Sequence, residues 1–399
     1  MRLFANPETA YFLSRPNRFL VQCKRGEKTF AAFLPNSGRL LELLLPGRRL
    51  YLVKEGGAAA ARRKTEYTVV AVEREGRPVM LHTHRTNDVV RYLLERGEVP
   101  GLEKARVKAA EVRVGQSRFD FLLEMGGERI FLEVKSCTLF GDHVAMFPDA
   151  VTARGTRHLR DLAALRRQGV RGAVVFVVHW PESRIFMPDY HTDLAFSRTL
   201  LAVRQTIETI PISVGWNTDL LMSEKARLLD IPWDYVERES KDRGSYLLIL
   251  RLPRARSLQI GRLGRLSFPK GFYIYVGSAM RGLTGRIQRH RRLRKRPHWH
   301  IDALRAASEF HSALPVRSSL RLECEIAQAL KGIGEWEIPG FGSSDCSCGT
   351  HLFGMAGDPI HSRQFHRLVQ YFRMDRYEMS LRLRDLPRGG QGDRRAPAS

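Results

Sequence analysis

Cysteines, acidic residues and long apolar runs are all scarce in this chain of 399 residues. Five cysteines are too few for a disulfide framework, so we expect thiols or metal ligands in a reducing compartment. No apolar stretch approaches the roughly 18 residues that cross a bilayer, which argues against a membrane-spanning protein. The N-terminus also lacks the apolar core of a secretory signal, because Glu8 and two prolines interrupt it. The sequence therefore predicts a cytoplasmic protein.

The shortage of acidic side chains leaves a large positive charge. There are 66 Lys plus Arg against 42 Asp plus Glu, a formal charge of +24, and the isoelectric point is near 10.4. Such a surplus indicates a polyanionic partner, with nucleic acid as the first candidate and an anionic membrane surface as the second. The length suggests two or three domains, and the 43% hydrophobic content argues against intrinsic disorder.

The charge is unevenly distributed along the chain. Residues 241–399 hold 29 basic and 13 acidic side chains (+16), which leaves 37 and 29 (+8) for residues 1–240. Between the two parts, the charged run at 229–245 is typical of a linker, so the main boundary is expected near residue 240. The stretch from about residue 386 has little to bury and is predicted to be disordered.

Short apolar segments that alternate with polar residues follow one another from residue 19 to residue 71. They read FLVQC, TFAAF, RLYLV and YTVVAV, and turn residues separate them. This spacing predicts a small β-barrel. From residue 87 the pattern indicates a mixed α/β domain, with helices predicted at 87–96 and 156–167 and strands at 119–124, 129–134 and 173–179.

The stretch DFLLEMGGERIFLEVKS carries the most informative charged residues. Asp120 opens one predicted strand, a Gly-Gly pair forms a turn, and Glu133 and Lys135 share one face of the next strand. Two carboxylates that meet across such a hairpin can hold a divalent cation, while the lysine stabilises an attacking water or a developing phosphate charge. The pattern indicates phosphodiester hydrolysis, and another acid, Glu111, lies just upstream. The alternative is an ordinary hairpin with a solvent-exposed charged face.

Six motifs in this part of the chain point to a known family. They are RPNRFL (15–20), LPNSGRL (34–40), LLPG (44–47), GQSRFDF (115–121), LEVKS (132–136) and FPDAVTARGTRHLRDL (147–162). With these motifs, residues 1 to about 222 resemble the sugar fermentation stimulation protein A family. The resemblance implies an oligonucleotide-binding (OB) type barrel, then a nuclease domain of the PD-(D/E)xK type, with DNA as the partner and Mg²⁺ or Mn²⁺ as the cofactor.

The resemblance also implies roles for individual residues. Asp120, Glu133 and Lys135 fall on the nuclease motif, the first two as metal ligands, and Glu111 falls on the acidic residue before it. The family pattern RGQKHL reads RGTRHL here, so Thr156 stands where relatives have glutamine. Arginines of the first part are predicted to bind nucleic acid: Arg18, Arg39, Arg118, Arg154 and Arg157.

Residues 147–162 concentrate polar side chains where a helix would follow the catalytic strands. Arg154 and Arg157 lie three apart on one helix face and could grip a phosphate. The sequence is equally compatible with an alternative in which Asp149 caps the helix and the basic side chains are solvated. For His158 alone, a structural role is favoured.

A second group of motifs lies between residues 244 and 353. They read GSYLLIL, GFYIYVGSA, GLTGRIQRHRRLRKRPHWHID, LECEIAQAL and GFGSSDCSCGTHLF. In this order they resemble a small bacterial and archaeal domain family related to the GIY-YIG endonucleases. The resemblance implies Tyr246 or Tyr275 as the general base, Arg286 at the transition state and Glu323 as ligand of a divalent ion. Two features depart from the GIY-YIG pattern: about 27 residues separate the tyrosine motifs, and no asparagine follows Asn217.

Other interpretations exist for the aromatic and basic residues of this part. Tyr273 and Tyr275 could simply pack on a strand. The seven arginines and one lysine of residues 281–296 could form a solvated helix face or a surface that grips phosphates. Those predicted to bind nucleic acid are Arg281, Arg289, Arg291, Arg292, Arg294 and Lys295.

Cys346, Cys348 and His351 lie within six residues and would form a structural zinc site if a fourth ligand converged on them. That ligand could come from one of three residues: Cys324, His298 or His300. Buried thiols without a metal are the alternative. The two other histidines could instead belong to an active site or to a base-stacking surface.

The sequence thus predicts a multidomain α/β protein. Its segments are an OB-like barrel (1–83), a PD-(D/E)xK nuclease-like α/β domain (84–225), a linker (226–242), a GIY-YIG-like α+β domain (243–356) and a basic extension (357–399). The predicted function is a metal-dependent DNA nuclease without a membrane partner, with the GIY-YIG-like domain as a second nuclease or a DNA-binding domain. A non-catalytic DNA-binding regulator and an RNA-processing factor are the alternatives. Two uncompensated carboxylates beside a polyanion favour the enzyme.

Overall fold

The computed structural model describes residues 1–54 and 65–378, so the disorder predicted from about residue 386 lies outside the described residues. A β-barrel, an α/β domain and an α+β domain follow one another along the chain. This order confirms the predicted multidomain α/β class. No helix of the described part is both long enough and apolar enough to cross a membrane.

Six strands form the barrel, and alternate residues such as Phe12 and Val21 fill its core. The strands are β1 (Glu8–Asn17), β2 (Leu20–Arg25), β3 (Lys28–Phe33), β4 (Arg49–Lys54), β5 (Tyr67–Arg74) and β6 (Arg77–Met80). Their order is β3-β2-β1-β4-β5-β6, and an additional β3–β5 pairing closes the sheet. The sequence pattern does not predict β1, because the polar run SRPN interrupts its apolar alternation.

A six-stranded sheet of order β15-β14-β12-β9-β8-β7 is the centre of the second domain. Its strands are β7 (Arg106–Val114), β8 (Ser117–Met125), β9 (Glu128–Cys137), β12 (Arg171–Val178), β14 (Glu208–Ser213) and β15 (Arg227–Leu228). Strands β7 to β9 form an antiparallel meander, whereas β9, β12 and β14 are parallel. A smaller sheet beside it contains β10 (Leu139–Phe140), β11 (Val144–Phe147) and β13 (Ile185–Pro188).

Helices cover both faces of the larger sheet. They are α1 (Thr86–Glu95), α2 (Ala153–Leu165), α3 (Leu194–Val203) and α4 (Trp233–Glu239). Helix α1 packs on one face through Val89 and Leu93, and α2 packs on the other through Leu159 and Leu162. Because both faces are buried, β12 is a continuous apolar run, as the sequence predicts for its strand at 173–179.

Helix α2 begins three residues before the predicted start. Its N-cap is Thr152, whose hydroxyl accepts a hydrogen bond from the Gly155 N–H at 3.0 Å. Asp149 therefore does not cap this helix. Instead, Asp149 Oδ2 accepts a hydrogen bond from the Leu40 N–H at 2.6 Å, which joins the barrel to the second domain.

Residues 226–242 form a folded connection, and the prediction of a linker is corrected accordingly. They contain β15 and α4, and Val236 of α4 is fully buried. Glu239 at the end of α4 is also buried and accepts a hydrogen bond from Ser319 Oγ of the third domain at 2.7 Å. The charged composition of this segment is misleading because only one face of the short helix is apolar.

The third domain is built on a sheet of order β20-β16-β19-β22-β21. Its strands are β16 (Gly244–Leu252), β17 (Arg256–Gln259), β18 (Arg265–Phe268), β19 (Gly271–Ala279), β20 (Glu309–Arg317), β21 (Trp336–Glu337) and β22 (Leu352–Met355), and its helices are α5 (Leu283–Arg291), α6 (His300–Ala307), α7 (Glu323–Leu330) and α8 (Arg363–Gln370). Strands β16 and β19 pair directly, while β17 and β18 form a separate hairpin between them. That hairpin accounts for the long spacing of the tyrosine motifs.

Residues 359–375 complete the third domain, which corrects the prediction of an extension from residue 357. A 3₁₀ turn (Pro359–His361), α8 and a π-helix (Tyr371–Asp375) follow one another. They bury four apolar side chains at helical spacing, Phe365, Leu368, Val369 and Phe372, in the core of the third domain. Basic residues lie between these apolar ones in the sequence, so the composition of the segment does not indicate that one helix face is apolar.

The same segment docks the third domain onto the second. Gln370 Nε2 donates to the Phe140 carbonyl at 2.8 Å, and Asp375 Oδ1 accepts from the Asp142 N–H at 3.0 Å. Because both partners are main-chain groups of the second domain, the contact depends on backbone placement rather than on an exchangeable side chain.

Candidate active site and metal centre

Asp120 and Glu133 are neighbours at the point where the ladder between β8 and β9 ends. The last paired residues on that side are Phe121 and Leu132. Beyond them, the Val134 N–H donates to Asp120 Oδ2 at 2.7 Å. The Asp120 side chain thus satisfies a main-chain N–H that has no partner in the ladder with β8. The structure therefore brings the two carboxylates together, as the hairpin pattern predicts.

Asp120 is held from two sides. In addition to the Val134 N–H, Asn87 of α1 donates through Nδ2 to Asp120 Oδ1 at 2.8 Å. Burial raises the pKa of Asp120, and the negative charge of Glu133 raises it further, which the two hydrogen bonds offset only in part. A cation placed between the two carboxylates would remove this repulsion.

Glu133 is almost fully buried and is the centre of a polar network. Its Oε1 accepts hydrogen bonds from His158 Nδ1 at 2.6 Å and from Lys135 Nζ. Burial alone would raise the pKa of Glu133, but the hydrogen bond from His158 and the charge of Lys135 outweigh it and hold the pKa below its usual value. Glu133 Oε2 is buried and has no hydrogen-bond partner among the residues that the structure describes. An oxygen in that position is suited to a hard cation.

His158 is a site residue that the sequence analysis did not select. Its imidazole is buried, and Nδ1 must carry the proton because the carboxylate of Glu133 can only accept. Arg154, one turn earlier on α2, contacts the other ring nitrogen at 3.4 Å. The signal was the spacing of four between Arg154 and His158, which places both on the helix face that meets β9.

A cleft of about 1100 Å³ opens in front of the two carboxylates. Barrel residues and second-domain residues line it, and His361 of the third domain also contributes. Four of the arginines predicted to bind nucleic acid line this cleft: Arg18, Arg39, Arg118 and Arg154. Arg157 is exposed on α2 but is not part of the lining.

Three charged residues of the cleft already have partners within the protein. Glu111 lies across the ladder from Asp120, since the pairs on either side of them are in register, but its carboxylate forms an ion pair with Arg118 at 2.7 Å. Arg15 donates to four main-chain carbonyls of the barrel, so its role is structural. Because Arg118 is paired with Glu111, the positive charge left for a ligand in the cleft comes mainly from Arg18, Arg39 and Arg154.

The tyrosines of the third domain are deeply buried. Tyr246 is 1% exposed, and its hydroxyl lies 2.8 Å from His290 Nε2. Burial raises the pKa of Tyr246 well above its usual value and lowers the pKa of His290 to about 4, so near neutral pH the phenol donates to a neutral imidazole. Tyr275 is buried as well, and Tyr273 donates to the Pro269 carbonyl at 2.7 Å, which supports the packing interpretation for Tyr273.

Arg286 and Arg289 sit on the ring of Trp299, with guanidinium carbons 4.1 and 4.3 Å from its centre. Arg289 also donates to both carboxylate oxygens of Asp302, and Lys295 forms an ion pair with the same group at 2.7 Å. Asp302 thus neutralises two of the residues that were predicted to bind nucleic acid. The remaining members of that group, Arg281, Arg291, Arg292 and Arg294, are exposed.

Three cysteines and one histidine converge in the third domain and could bind a metal ion. The ligand atoms of Cys324, Cys346, Cys348 and His351 all lie within 4.8 Å of one another. Cys324 is on the first turn of α7, and the other three precede β22. The fourth member of the group is therefore Cys324, whereas His298 and His300 are not part of it.

Glu323, the implied ligand of a divalent ion, lies beside this cluster. Its Oε2 accepts a hydrogen bond from Ser278 Oγ, and its Oε1 lies 3.3 Å from His351 Nδ1. Glu323 and the cysteine cluster thus share one histidine.

Comparisons with known proteins match all three domains. Residues 13–81 match the family described as SfsA N-terminal OB domain, and residues 84–219 match the Sugar fermentation stimulation protein RE domain. Residues 245–374 match Domain of unknown function DUF123. Two relatives are both named sugar fermentation stimulation protein homolog. The protein of Moorella thermoacetica is 43% identical, over 50% of this chain and 86% of its own length. The protein of Methanothermobacter thermautotrophicus is 34% identical, over 53% of this chain and 88% of its own length.

A solved structure resembles the first two domains. It is described as the structure of Pyrococcus furiosus SfsA in complex with Ca²⁺. It aligns with a TM-score of 0.53 and 30% identity, over 58% of this chain and 99% of the archaeal chain. That chain bears the name of the family whose models match residues 13–81 and 84–219 here.

Proposed function

Because the chain belongs to the sugar fermentation stimulation protein family, we propose that it binds DNA in the cleft between barrel and second domain and hydrolyses phosphodiester bonds there. The observation that carries this proposal is the pair Asp120 and Glu133 with Lys135, at the floor of a cleft of about 1100 Å³ lined by arginines. A nuclease needs this combination of hard anionic ligands and surrounding positive charge.

Asp120 and Glu133 are the residues that would hold Mg²⁺ or Mn²⁺. They supply carboxylate oxygens, the ligands that these ions prefer, and the buried Glu133 Oε2 has a free coordination site. Burial and then the negative charge of Glu133 raise the pKa of Asp120, and a bound cation would offset both effects. When bound, a divalent ion would act as a Lewis acid on the scissile phosphate. The archaeal relative was solved with Ca²⁺, which supports a cation site in this family.

The protein's own residues have separate tasks around this pair. Asn87 and the Val134 N–H orient Asp120, and His158 orients Glu133. Lys135 brings its ammonium group to Glu133 Oε1, where it would stabilise negative charge on an attacking water or on the phosphate. These contacts fix both carboxylates before substrate arrives, so little reorganisation is needed during the reaction.

DNA would be held by the arginines that line the cleft. Arg18 and Arg39 belong to the barrel and Arg154 to α2, so the phosphate backbone would contact two domains at once. Guanidinium groups bind phosphate through two parallel hydrogen bonds, which favours this role. Because OB-type barrels bind single strands, single-stranded DNA or RNA also fits this cleft as a substrate.

A non-catalytic DNA-binding protein is the second candidate, and one observation favours it. Lys135 and His158 both bond to Glu133, so this carboxylate is compensated within the protein. Glu133 is therefore not an uncompensated acid beside a polyanion, and its burial in the cleft does not by itself require catalysis. Metal dependence separates the two candidates, because binding alone needs no divalent ion.

Zinc is the metal we propose for the Cys324, Cys346, Cys348 and His351 cluster. Three thiolates and an imidazole are a recurrent structural zinc set, and soft sulfur ligands disfavour Mg²⁺ and Mn²⁺. The site would order the long segment between β21 and β22, since its ligands tie that segment to α7.

The proposed nuclease is tested with the purified full chain and labelled duplex, single-stranded, nicked and forked DNA, and with RNA. Each substrate is incubated with Mg²⁺, with Mn²⁺ or with chelator. We expect cleavage of at least one DNA substrate that needs the divalent ion. Binding to all of them without any metal-dependent cleavage would instead support the non-catalytic candidate.

A further inference from the structure

We infer that Glu323 serves the cysteine cluster as an outer-shell carboxylate that orients His351, rather than holding a hydrolytic Mg²⁺ or Mn²⁺ ion. This inference rests on the zinc assignment proposed above. It replaces the role that the GIY-YIG resemblance implies for Glu323, and it makes the third domain a zinc-ordered DNA-binding module.

The geometry of the cluster is close to a tetrahedral metal site. Zinc bonds of roughly 2.3 Å to sulfur and roughly 2.0 Å to nitrogen, at the tetrahedral angle, place a sulfur and a nitrogen ligand about 3.5 Å apart. Cys346 Sγ and His351 Nε2 are 3.4 Å apart, and all four ligand atoms lie within 4.8 Å. Only a small contraction of the cysteines would complete the tetrahedron.

His351 presents its two nitrogens to different partners. Nε2 faces the cysteine sulfurs, while Nδ1 is buried and makes no hydrogen bond to the described residues. Glu323 Oε1 lies 3.3 Å from this nitrogen, close enough for an ion pair. A histidine that binds metal through one nitrogen donates its other N–H to a carboxylate or carbonyl in most sites. Glu323 is in position for that role.

Glu323 is itself fixed in place. Ser278 of β19 donates to Oε2, and Glu323 and the ligand Cys324 are consecutive on the first turn of α7. The outer-shell carboxylate and one metal ligand therefore cannot move independently. With Oε2 bonded to Ser278 and Oε1 directed at His351, neither oxygen is left without a neighbour for a second, hydrolytic ion.

The rest of the third domain agrees with a binding role. Tyr246, one of the two implied general bases, is 1% exposed, and its hydroxyl is occupied by His290. The exposed arginines after α5 supply the charge that phosphate contacts need. Hydrolysis is thereby assigned to the second domain.

The test measures zinc content and zinc affinity of the full chain, then repeats both with substituted chains. Zinc per chain is determined by mass spectrometry, and affinity by competition with a chromophoric chelator. Cobalt substitution reports thiolate coordination through its visible absorption. The variants are Cys346→Ser, which removes a ligand, and Glu323→Gln, which removes the outer-shell charge. Glu325→Gln is the matched control, because Glu325 lies on the same helix, is exposed and, among the described residues, forms its ion pair with Arg376 at 3.4 Å.

We expect one zinc per wild-type chain, loss of zinc in Cys346→Ser, and an about 10- to 100-fold weaker affinity in Glu323→Gln with the cobalt thiolate spectrum retained. Glu325→Gln should match wild type. Wild-type zinc binding with an unchanged affinity in Glu323→Gln would overturn the outer-shell role and leave the zinc assignment standing. Absence of zinc and of a cobalt thiolate spectrum in wild type would overturn both. A Glu323→Gln chain that keeps its zinc affinity but loses a Mg²⁺-dependent cleavage would restore the hydrolytic role.

Discussion

The substitution Glu133→Gln separates chemistry from binding in the proposed nuclease. The amide has the size of the carboxylate, and its oxygen can still accept the hydrogen bonds from His158 and Lys135. The variant is therefore expected to fold. What it loses is one negative charge and one hard ligand on the floor of the cleft.

The expected loss of cleavage follows from the position of Glu133. Removing one preorganised electrostatic group from an active site costs about 10²- to 10³-fold in rate, or roughly 2.7 to 4 kcal/mol. DNA binding should change little and in the opposite direction. A charge about 10 Å from a phosphate contributes roughly 1.7 kcal/mol at an effective dielectric constant of about 20, and salt reduces this below about 1 kcal/mol. Removing that repulsion tightens binding by at most about five-fold.

The assay is single-turnover cleavage of labelled DNA at saturating protein, with affinity measured separately in chelator. Glu128→Gln is the control, because Glu128 begins the same strand but is exposed and pairs with Arg171 at 3.1 Å. It should cleave like wild type. Cleavage by Glu133→Gln within two-fold of wild type, or an equal loss of cleavage and binding, would refute the reasoning.

Three further predictions concern the polar network and the third domain. The hydrogen bond from His158 lowers the pKa of Glu133, and a carboxyl group with a lowered pKa contributes stability that is lost as the pH falls. His158→Phe should therefore shift the acid limb of the cleavage rate and of the thermal stability to higher pH. An unchanged acid limb would contradict this. Arg292→Ala should reduce the slope of log affinity for DNA against log salt concentration by about 0.7 to 0.9. Arg289→Ala should leave that slope unchanged, because Arg289 is bonded to Asp302 within the protein. Equal slopes in the wild type and both variants would argue against a phosphate contact at Arg292. Arg286→Ala should weaken DNA binding without lowering the cleavage rate at saturation, and a lower saturated rate would indicate a second hydrolytic site.

Strand patterns made much of the fold predictable. Strands β2, β3 and β4 are predictable because their short apolar segments alternate with polar residues. Strand β12 is predictable because it is a continuous apolar run. The strands that carry Asp120 and Glu133 were predictable for the same reason, and the hairpin between them has only one short turn. The hairpin that carries Asp120 and Glu133 was predictable because its two strands are adjacent in the sequence.

Long-range contacts account for what the sequence did not reveal. His158 binds a carboxylate 25 positions earlier, and Asp149 binds an N–H in a different domain, 109 positions away. Neither partner is marked by spacing along the chain. Asp302 likewise captures two basic residues that composition alone assigns to nucleic acid. The convergence of Cys324 on the later cysteines needed the fold, since β20 and α7 bring it there.

The docking of the third domain sets an order of events during synthesis. Gln370 reaches back across 230 positions to the Phe140 carbonyl, and Asp375 reaches back across 233 positions to Asp142. At about 5 to 20 residues per second, translation separates these partners by about 10 to 50 seconds. Arg74 already donates to the Phe140 carbonyl at 2.9 Å, so throughout that interval water must satisfy only the carbonyl's second lone pair and the Asp142 N–H. The interface between the second and third domains is therefore closed last, after the first two domains have been free to form the cleft between them.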